Sequence, residues 1–592
     1  MAQFFKFLFA SCLGTCIALF VMTLIGISSI VGIAASSEEP VSIKANSVLA
    51  LDLSQPIPEL TNNMELNSFD PSQSDVMGLH DVIRAIRAAK DDDDIKGIYI
   101  ENGSVGTSIT GIRKIREALT EFKESGKFIT SFAPNYSQGA YYLASAGDEV
   151  YVGPIGITDF RGLGAEIPFF KNALDRLGIK MEVFYAGNYK SATEPFRRTE
   201  MSDYNREQTK EYLSALWDVI VDDIAAGRNV SSAAVQQAAA DMTGFEAPKM
   251  IAAQLIDGEL TRTQVNQLIR EKLSLDEDDK DVPSIGLSDY FNARVKGEKE
   301  DDGEEIALVI AEGTIVDGKG AAGNIGGDKY ARLIDKLRRD DDVKAIVLRI
   351  NSGGGSASAS ENMWYAIEKF KADTGKPVVV SMGNVAASGG YYMAANADSI
   401  FAEPTTITGS IGVFLTFPMV QEFMNDKLGI TFDTVGTTSS ANEFSLVRPL
   451  SPAAEAVLQR RTEAIYDQFK DRVATGRKLD RSVVDSIAQG RVYAGTRALE
   501  LGLVDRLGDT NDALAAAAKM AGLDDDYHAV TYPRPKNFFE RLMSDLFEKD
   551  DMISRTVMKQ TMGKAYEHYQ KAEAMSRLEG PQMLLPVVIP FE

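Results

Sequence analysis

The chain has 592 residues, enough for several domains. It is 44% hydrophobic and 25% charged, as globular proteins are, and its net charge of −23 argues against a general nucleic-acid binder. The two cysteines, Cys12 and Cys16, lie together in an N-terminal apolar segment. The rest of the chain therefore has no disulfide framework, cysteine nucleophile or cysteine zinc site.

In chain order, the first element is the uncharged stretch from Phe7 to Ala35, 29 residues long. A bilayer is spanned by about 20. Lys6 precedes it and Glu38 and Glu39 follow, which favours an N-terminus in the cytoplasm and the bulk of the chain outside it. Residues 1–45 read as an uncleaved transmembrane anchor. Cleavage after Gly32-Ile33-Ala34 is the alternative.

Two halves then match in order. Ser47–Leu53 corresponds to Glu305–Ile310, Asp92–Ile100 to Asp340–Leu348, and Phe128–Tyr142 to Val378–Tyr392. Pro154 corresponds to Pro404, and Ala226-Gly227-Arg228 to Thr475-Gly476-Arg477. Short apolar strands alternate with amphipathic helical spacing in each half, which predicts an α/β fold with largely parallel strands. The halves are expected at 46–275 and 304–535. A charge-dense linker over 276–303 is too polar to bury a core. In the tail, 536–592, Phe538, Leu542, Leu546 and Phe547 fall near one helical face. The acidic runs Asp91–Asp94 and Asp340–Asp342 read as solvated turns between a helix and a strand. No metal and no cofactor is expected.

The stretch that organises the chemistry is Ala386-Ala387-Ser388-Gly389-Gly390-Tyr391-Tyr392. It follows the apolar run from Pro377 to Met382, a buried strand by pattern, and precedes a helical one. Ser388 thus falls at a strand-to-helix turn, where backbone N–H groups lack partners. A hydroxyl there can attack a carbonyl while those N–H groups receive the oxyanion. The alternative is a serine that only caps the helix. Ser388 aligns with Gln138, so only the second half has the hydroxyl. The run Asn351-Ser352-Gly353-Gly354-Gly355-Ser356 follows a strand and is likewise confined to the second half. It lacks the spacing and the Gly-Lys ending of a phosphate loop, and is a second source of oxyanion donors.

A serine nucleophile needs a base. The three histidines, His80, His528 and His568, all lie outside the repeated strand-turn elements. A lysine serves if burial lowers its pKa. Gly187-Asn188-Tyr189-Lys190-Ser191-Ala192 has a lysine where its counterpart, Gly436-Thr437-Thr438-Ser439-Ser440-Ala441, has none. One half has the serine and the other the lysine.

At this point the chain resembles a known family, the long, duplicated form of signal peptide peptidase A. The matching features are the N-terminal apolar segment, Asp342–Ser352, Ala387–Tyr392, Thr408-Gly409-Ser410-Ile411-Gly412-Val413 and Gly187–Ala192. The resemblance implies two tandem domains of the Clp protease/crotonase type, built of strand-strand-helix repeats and preceded by one transmembrane helix. It implies Ser388 as nucleophile, Lys190 as general base, Ser410 as the serine that orients the lysine, and Gly354 and Gly389 as oxyanion-hole donors. It further implies a homotetramer in the bacterial inner membrane, crossing it once, with the catalytic domains facing the periplasm. Signal peptides and other unfolded apolar peptides are its expected partners. The family usually has proline where this chain has Gly353, a change that loosens the loop. Two other readings stay open: a crotonase-like enzyme acting on acyl thioesters, and an inactive membrane scaffold.

Overall fold

The computed structural model describes residues 6–7, 14–15, 17–18, 22, 43–63, 76–276, 281–296, 303–523, 526–534 and 581–584. Most of the expected anchor lies outside the described residues, as does the helical face of Phe538, Leu542, Leu546 and Phe547. Among the described residues no helix is long and apolar enough to cross a membrane.

Each half is organised on its own largely parallel sheet. In the first half the strand order is Gly258–Glu259, Glu149–Val152, Phe128–Ala133, Ile95–Ile100, Ser47–Leu51 and Ser284–Gly286. In the second it is Val492–Ala494, Ile407–Gly409, Val378–Ala387, Val343–Ser352, Glu304–Glu312 and Tyr527–Tyr532. Ser399–Ala402 also pairs with Val378–Ala387, as Glu149–Val152 pairs with Phe128–Ala133. The central strands carry apolar side chains on both faces because helices cover both, so they read as continuous runs such as Val378-Val379-Val380, all fully buried.

The helices repeat too. Asp203–Arg228 and Pro452–Arg477 are each 26 residues, start at a capping serine (Ser202, Ser451) and end on a left-handed residue (Asn229, Lys478). Gly227 and Gly476 sit near their C-terminal ends. A Cβ at either would strike a backbone carbonyl, that of Ser145 or of Ala395, in the turn after the site helix of its own half. Only glycine allows that close approach. Tyr141 and Tyr391 occupy matching places, their hydroxyls donating to the carbonyls of Leu255 (2.9 Å) and Leu503 (2.8 Å).

The linker departs from expectation. Its acidic runs are mostly outside the described residues, but 281–296 is ordered into structure. Ser284–Gly286 extends the first sheet, parallel to Ser47–Leu51, and Ile285, Leu287, Tyr290 and Val295 are buried. This strand holds the place in the first sheet that Tyr527–Tyr532 holds in the second. Four apolar side chains spaced through a charged segment suffice to dock it. Outside the linker, the runs Asp91–Asp94 and Asp340–Asp342 form turns: the Asp92 and Asp340 side chains accept from the N–H two residues on, at 2.9 and 3.2 Å.

The halves meet across a third, mixed sheet. Its order is Asn324–Gly326, Thr314–Val316, Gly354–Ser356, Gln582–Leu584, Val413–Met419 and Lys180–Ala186. First-half strand Lys180–Ala186 runs antiparallel to Val413–Met419, with Ala186 opposite Val413. That pairing delivers the turn at residues 187–190 into the second half. Arg349 and Glu59, both buried, add a two-pronged ion pair across the seam at 3.1 Å for each bond.

Candidate active site

Ser388 stands between strand Val378–Ala387 and helix Gly389–Ala394. Its backbone has φ 55° and ψ −116°, a conformation that side chains other than glycine rarely adopt. The strand edge imposes it: Ala387 is paired with Gly409, and the Ser388 N–H donates to the Gly409 carbonyl at 2.9 Å. In the first half the corresponding turn is relaxed. Ser137 has φ −68° and its hydroxyl caps helix Gln138–Ala144. Ser388 makes no side-chain cap. Its hydroxyl is turned elsewhere, at the cost of backbone strain on the order of 1–3 kcal/mol.

It is turned to Lys190. The Lys190 amine lies 2.8 Å from Ser388 Oγ, 3.0 Å from Ser410 Oγ and 3.3 Å from the Ser410 carbonyl oxygen. Lys190 is 1% exposed, and Ser388 and Ser410 are both 0% exposed. The amine has three oxygen neighbours and no carboxylate among its hydrogen-bond partners. Burial without a counter-ion disfavours the ammonium form, and the Lys190 pKa falls to about 7.

The lysine stem runs through a sleeve of glycines. A Cβ on Gly490 would lie 2.7 Å from Lys190 Cβ, and one on Gly412 3.1 Å from Lys190 Cδ. The turn is pinned on both sides. The Tyr189 N–H donates to the Gln489 carbonyl at 2.8 Å. Gln208, on helix Asp203–Arg228, donates to the Tyr189 carbonyl (3.0 Å) and to Ser191 Oγ (2.9 Å). Its other amide atom accepts from the Val492 N–H at 3.2 Å, tying the lysine turn to the second half. Sequence reasoning missed Gln208 and Gly490. Nothing in a polar residue on a long helix signals that it pins a turn before that helix to a strand 284 positions on, and nothing in a glycine after a helix signals contact with a turn in the other half.

Ser410 has φ 51° and donates its N–H to the Arg491 carbonyl at 2.7 Å. It follows strand Ile407–Gly409, which pairs with the end of the Ser388 strand and so sets Ser410 beside it. The glycine loop lies on the other side. Gly354 has φ 101°, and a Cβ on it would come 2.8 Å from the Gly389 N, so the two expected oxyanion donors are neighbours. Gly389 opens its helix, and first-turn N–H groups have no acceptor within the helix. The Gly354 N–H donates to Ser352 Oγ at 3.1 Å. Ser352 also donates to the Gly313 carbonyl at 2.7 Å, and these two bonds steady the loop at Gly353.

The other candidates fall away from this centre. His80 is on helix Leu79–Asp91, and His528 in strand Tyr527–Tyr532 lies with Nδ1 2.7 Å from the Gly303 carbonyl. His568 is outside the described residues. Gln138, the counterpart of Ser388, uses its side chain on the backbone at Arg161 and Gly162, at 2.9 to 3.1 Å.

A duplicated α/β protein with a buried serine hydroxyl against a buried lysine amine has an arrangement compatible with the class of enzymes that use an activated serine. Comparison with known proteins narrows the class. The profile of Peptidase family S49 matches residues 121–276 and 370–524, once in each half. Protease 4 of Haemophilus influenzae is 37% identical over 455 residues, covering 75% of this chain and 73% of that protein. Protease 4 of Salmonella typhi is 36% identical over 476 residues, 79% of this chain and 76% of that protein. The chloroplastic serine protease SPPA of Arabidopsis thaliana is 30% identical over 475 residues, 78% of this chain and 69% of that protein. The chain belongs to peptidase family S49, in its long form with the domain duplicated, and is a serine protease of that family.

Proposed function

We propose that the chain is a membrane-anchored serine endopeptidase in which Ser388 and Lys190 act as a dyad, on a fold of the Clp protease/crotonase type. The observation that carries this reading is the 2.8 Å separation of Lys190 Nζ and Ser388 Oγ in a site where both groups are buried. A neutral lysine takes the proton from Ser388 as its oxygen attacks the substrate carbonyl carbon. Ser410 holds the resulting ammonium through its hydroxyl and carbonyl. Gly389 receives the oxyanion, joined by Gly354 once its N–H is released from Ser352. Lys190 then passes the proton to the leaving amine, and water removes the acyl group by the same route in reverse.

The substrates we propose are unfolded apolar peptides, above all cleaved signal peptides. Support comes from the apolar segment Phe7–Ala35, which would hold the site at a bilayer. Strands Gly354–Ser356 and Val413–Met419 flank a slot for one extended strand, and strand addition selects extended backbone. A single crossing of the bacterial inner membrane, catalytic halves in the periplasm and assembly as a homotetramer complete the proposal. The test compares an apolar signal peptide, a folded globular protein and an acyl thioester as substrates for the wild type and Ser388→Ala. Hydrolysis of the signal peptide alone, lost in the variant, is expected. Efficient cleavage of the folded protein, or thioester turnover without peptidase activity, overturns it.

A further inference from the structure

The residues after helix Arg481–Ile487 clamp the lysine turn. The Gln489 carbonyl accepts from the Tyr189 N–H, Gly490 leaves room for the lysine stem, and the Val492 N–H donates to Gln208. Arg491 is the charged member of this segment, and it acts on both sides of the lysine. Its carbonyl accepts from the Ser410 N–H at 2.7 Å. Its guanidinium lies over the ring of Tyr189, with Cζ 4.6 Å from the centroid, and donates through Nη1 to the Tyr189 hydroxyl at 3.0 Å. Its Nη2 pairs with Glu207 at 2.9 Å and with Glu211, both on helix Asp203–Arg228. The Tyr189 hydroxyl donates to Glu207 at 3.2 Å, and Tyr204 packs edge-on against the same ring, 5.0 Å between centroids. Two observations argue that this arrangement serves the site rather than the fold. The side chains of Glu207 and Glu211 are 54% and 37% exposed, and ion pairs open to solvent contribute little to stability. In the first half, where Gln138 stands in place of the serine, there is no such arginine. Counting back from Leu255 as from Leu503, its counterpart is Thr243.

We propose that Arg491 is a positioning residue of the active site. Its guanidinium fixes Tyr189, and with it the adjoining Lys190, while its carbonyl fixes Ser410. One residue thereby sets the contact of Lys190 Nζ with Ser410 Oγ at 3.0 Å. The inference rests on the serine–lysine reading above and adds to it a residue that touches neither the lysine amine nor the serine hydroxyl. The Lys190 amine itself meets only uncharged oxygens, those of Ser388 and Ser410. The charged and titratable groups facing the turn are Arg491, Glu207, Glu211 and Tyr204, with the Tyr493 ring 5.8 Å from the guanidinium. Glu194, further along the same segment, is held by Ser202 and Asn205. Without the guanidinium two changes act in one direction. Tyr189 is released from the clamp, so water reaches the lysine stem and favours the ammonium. Glu207 and Glu211 are left uncompensated, and their charge favours the ammonium as well. Lys190 then gives up its proton less readily, and hydrolysis needs a higher pH. A lysine at 491 restores the charge but not the planar fork that stacks on Tyr189 and bonds three oxygens at once.

The test uses the full chain in detergent and an added apolar peptide, with kcat and KM measured from about pH 5 to about pH 10. The wild type, Arg491→Ala, Arg491→Lys and Ser388→Ala are compared. Arg491→Ala is expected to lose about tenfold in kcat near neutral pH, to keep KM within about twofold, and to move the acid limb up by about one pH unit. Arg491→Lys is expected to shift the limb in the same direction by about half as much. A wild-type kcat and limb in Arg491→Ala overturn the inference. So do a loss confined to KM and a lower kcat with an unmoved limb, the mark of a merely structural role. A wild-type profile in Arg491→Lys overturns it as well, because the charge alone would then suffice. If circular dichroism shows Arg491→Ala unfolded, Arg491→Lys decides on its own limb. Any of these failures beside an inert Ser388→Ala leaves the serine–lysine reading standing. Hydrolysis by Ser388→Ala at the wild-type rate overturns that reading, and this inference with it.

Discussion

Lys190 Nζ lies 2.8 Å from Ser388 Oγ although 198 positions separate the two residues. Neither half holds both groups. The antiparallel pairing of Lys180–Ala186 with Val413–Met419 carries the lysine across the seam to the serine. The first prediction follows. Ser388→Ala and Lys190→Ala each reduce peptide hydrolysis by about 10⁴-fold or more, and the double variant is no worse than the single ones, because groups that act as a unit are not additive. Steady-state kinetics on the three variants, with circular dichroism to show the fold retained, decides it. Activity in Lys190→Ala within tenfold of wild type is the contrary result.

The pH dependence is set by the burial of Lys190. The base works only when neutral, and its pKa is lowered to about 7 by burial. The rate constant kcat/KM should rise about tenfold per pH unit below that value and level off above it. A rise that continues to about 10.4, the value of an ordinary lysine, contradicts a buried amine. Stability carries the same signature. Between about 7 and 10.5 the unfolded chain binds the proton that the folded chain has given up, so this residue makes stability rise with pH across that window. Below it, folding bears the full cost of burying the ammonium. Lys190→Met should therefore melt at a higher temperature than wild type near neutral pH, and the gap should close as pH approaches 10.5.

Ser410 touches the lysine at 3.0 Å through its hydroxyl and not the substrate side of the serine. Ser410→Ala should reduce turnover by roughly 10- to 100-fold, less than loss of the dyad, and should displace the pH–rate limb. The Ser410 carbonyl remains in place in this variant, so some hydrolysis persists. A reduced rate with an unmoved limb would show that Ser410 is not coupled to the proton on Lys190.

Much of this arrangement was legible in the sequence, for definite reasons. The buried parallel strands announce themselves as unbroken apolar runs. The repeat then turns differences into signals: Ser388 against Gln138, and a lysine at 190 against no lysine over 436–444. What was hidden is short or distant. Ser284–Gly286 and Gln582–Leu584 are three-residue strands, too brief for periodicity, and each gains its stability from a ready-made sheet edge or slot rather than from its own pattern. The glycine sleeve and the Gln208 pin depend on which turns the seam brings together, and local pattern carries no information on that.

The sleeve yields its own prediction. Gly490 has φ 74°, and a Cβ there would press on the Lys190 main chain at 2.8 Å as well as on its Cβ. Gly490→Ala should therefore displace the lysine. We expect peptidase activity to fall by about 10²-fold, the scale of loss when reacting groups are misplaced by an ångström, while far-UV circular dichroism stays at wild type. Wild-type turnover in Gly490→Ala would mean that the lysine need not sit where the glycines place it.

The central claim is that Lys190 activates Ser388, and the rate of covalent labelling by a fluorophosphonate reads that step alone, without substrate binding or product release. Labelling should give one adduct, located on Ser388 by peptide mass spectrometry, at a rate that rises through about pH 7 in the wild type and collapses in Lys190→Ala. An adduct on another residue, or labelling of Ser388 at the wild-type rate and pH dependence in the absence of Lys190, would contradict it.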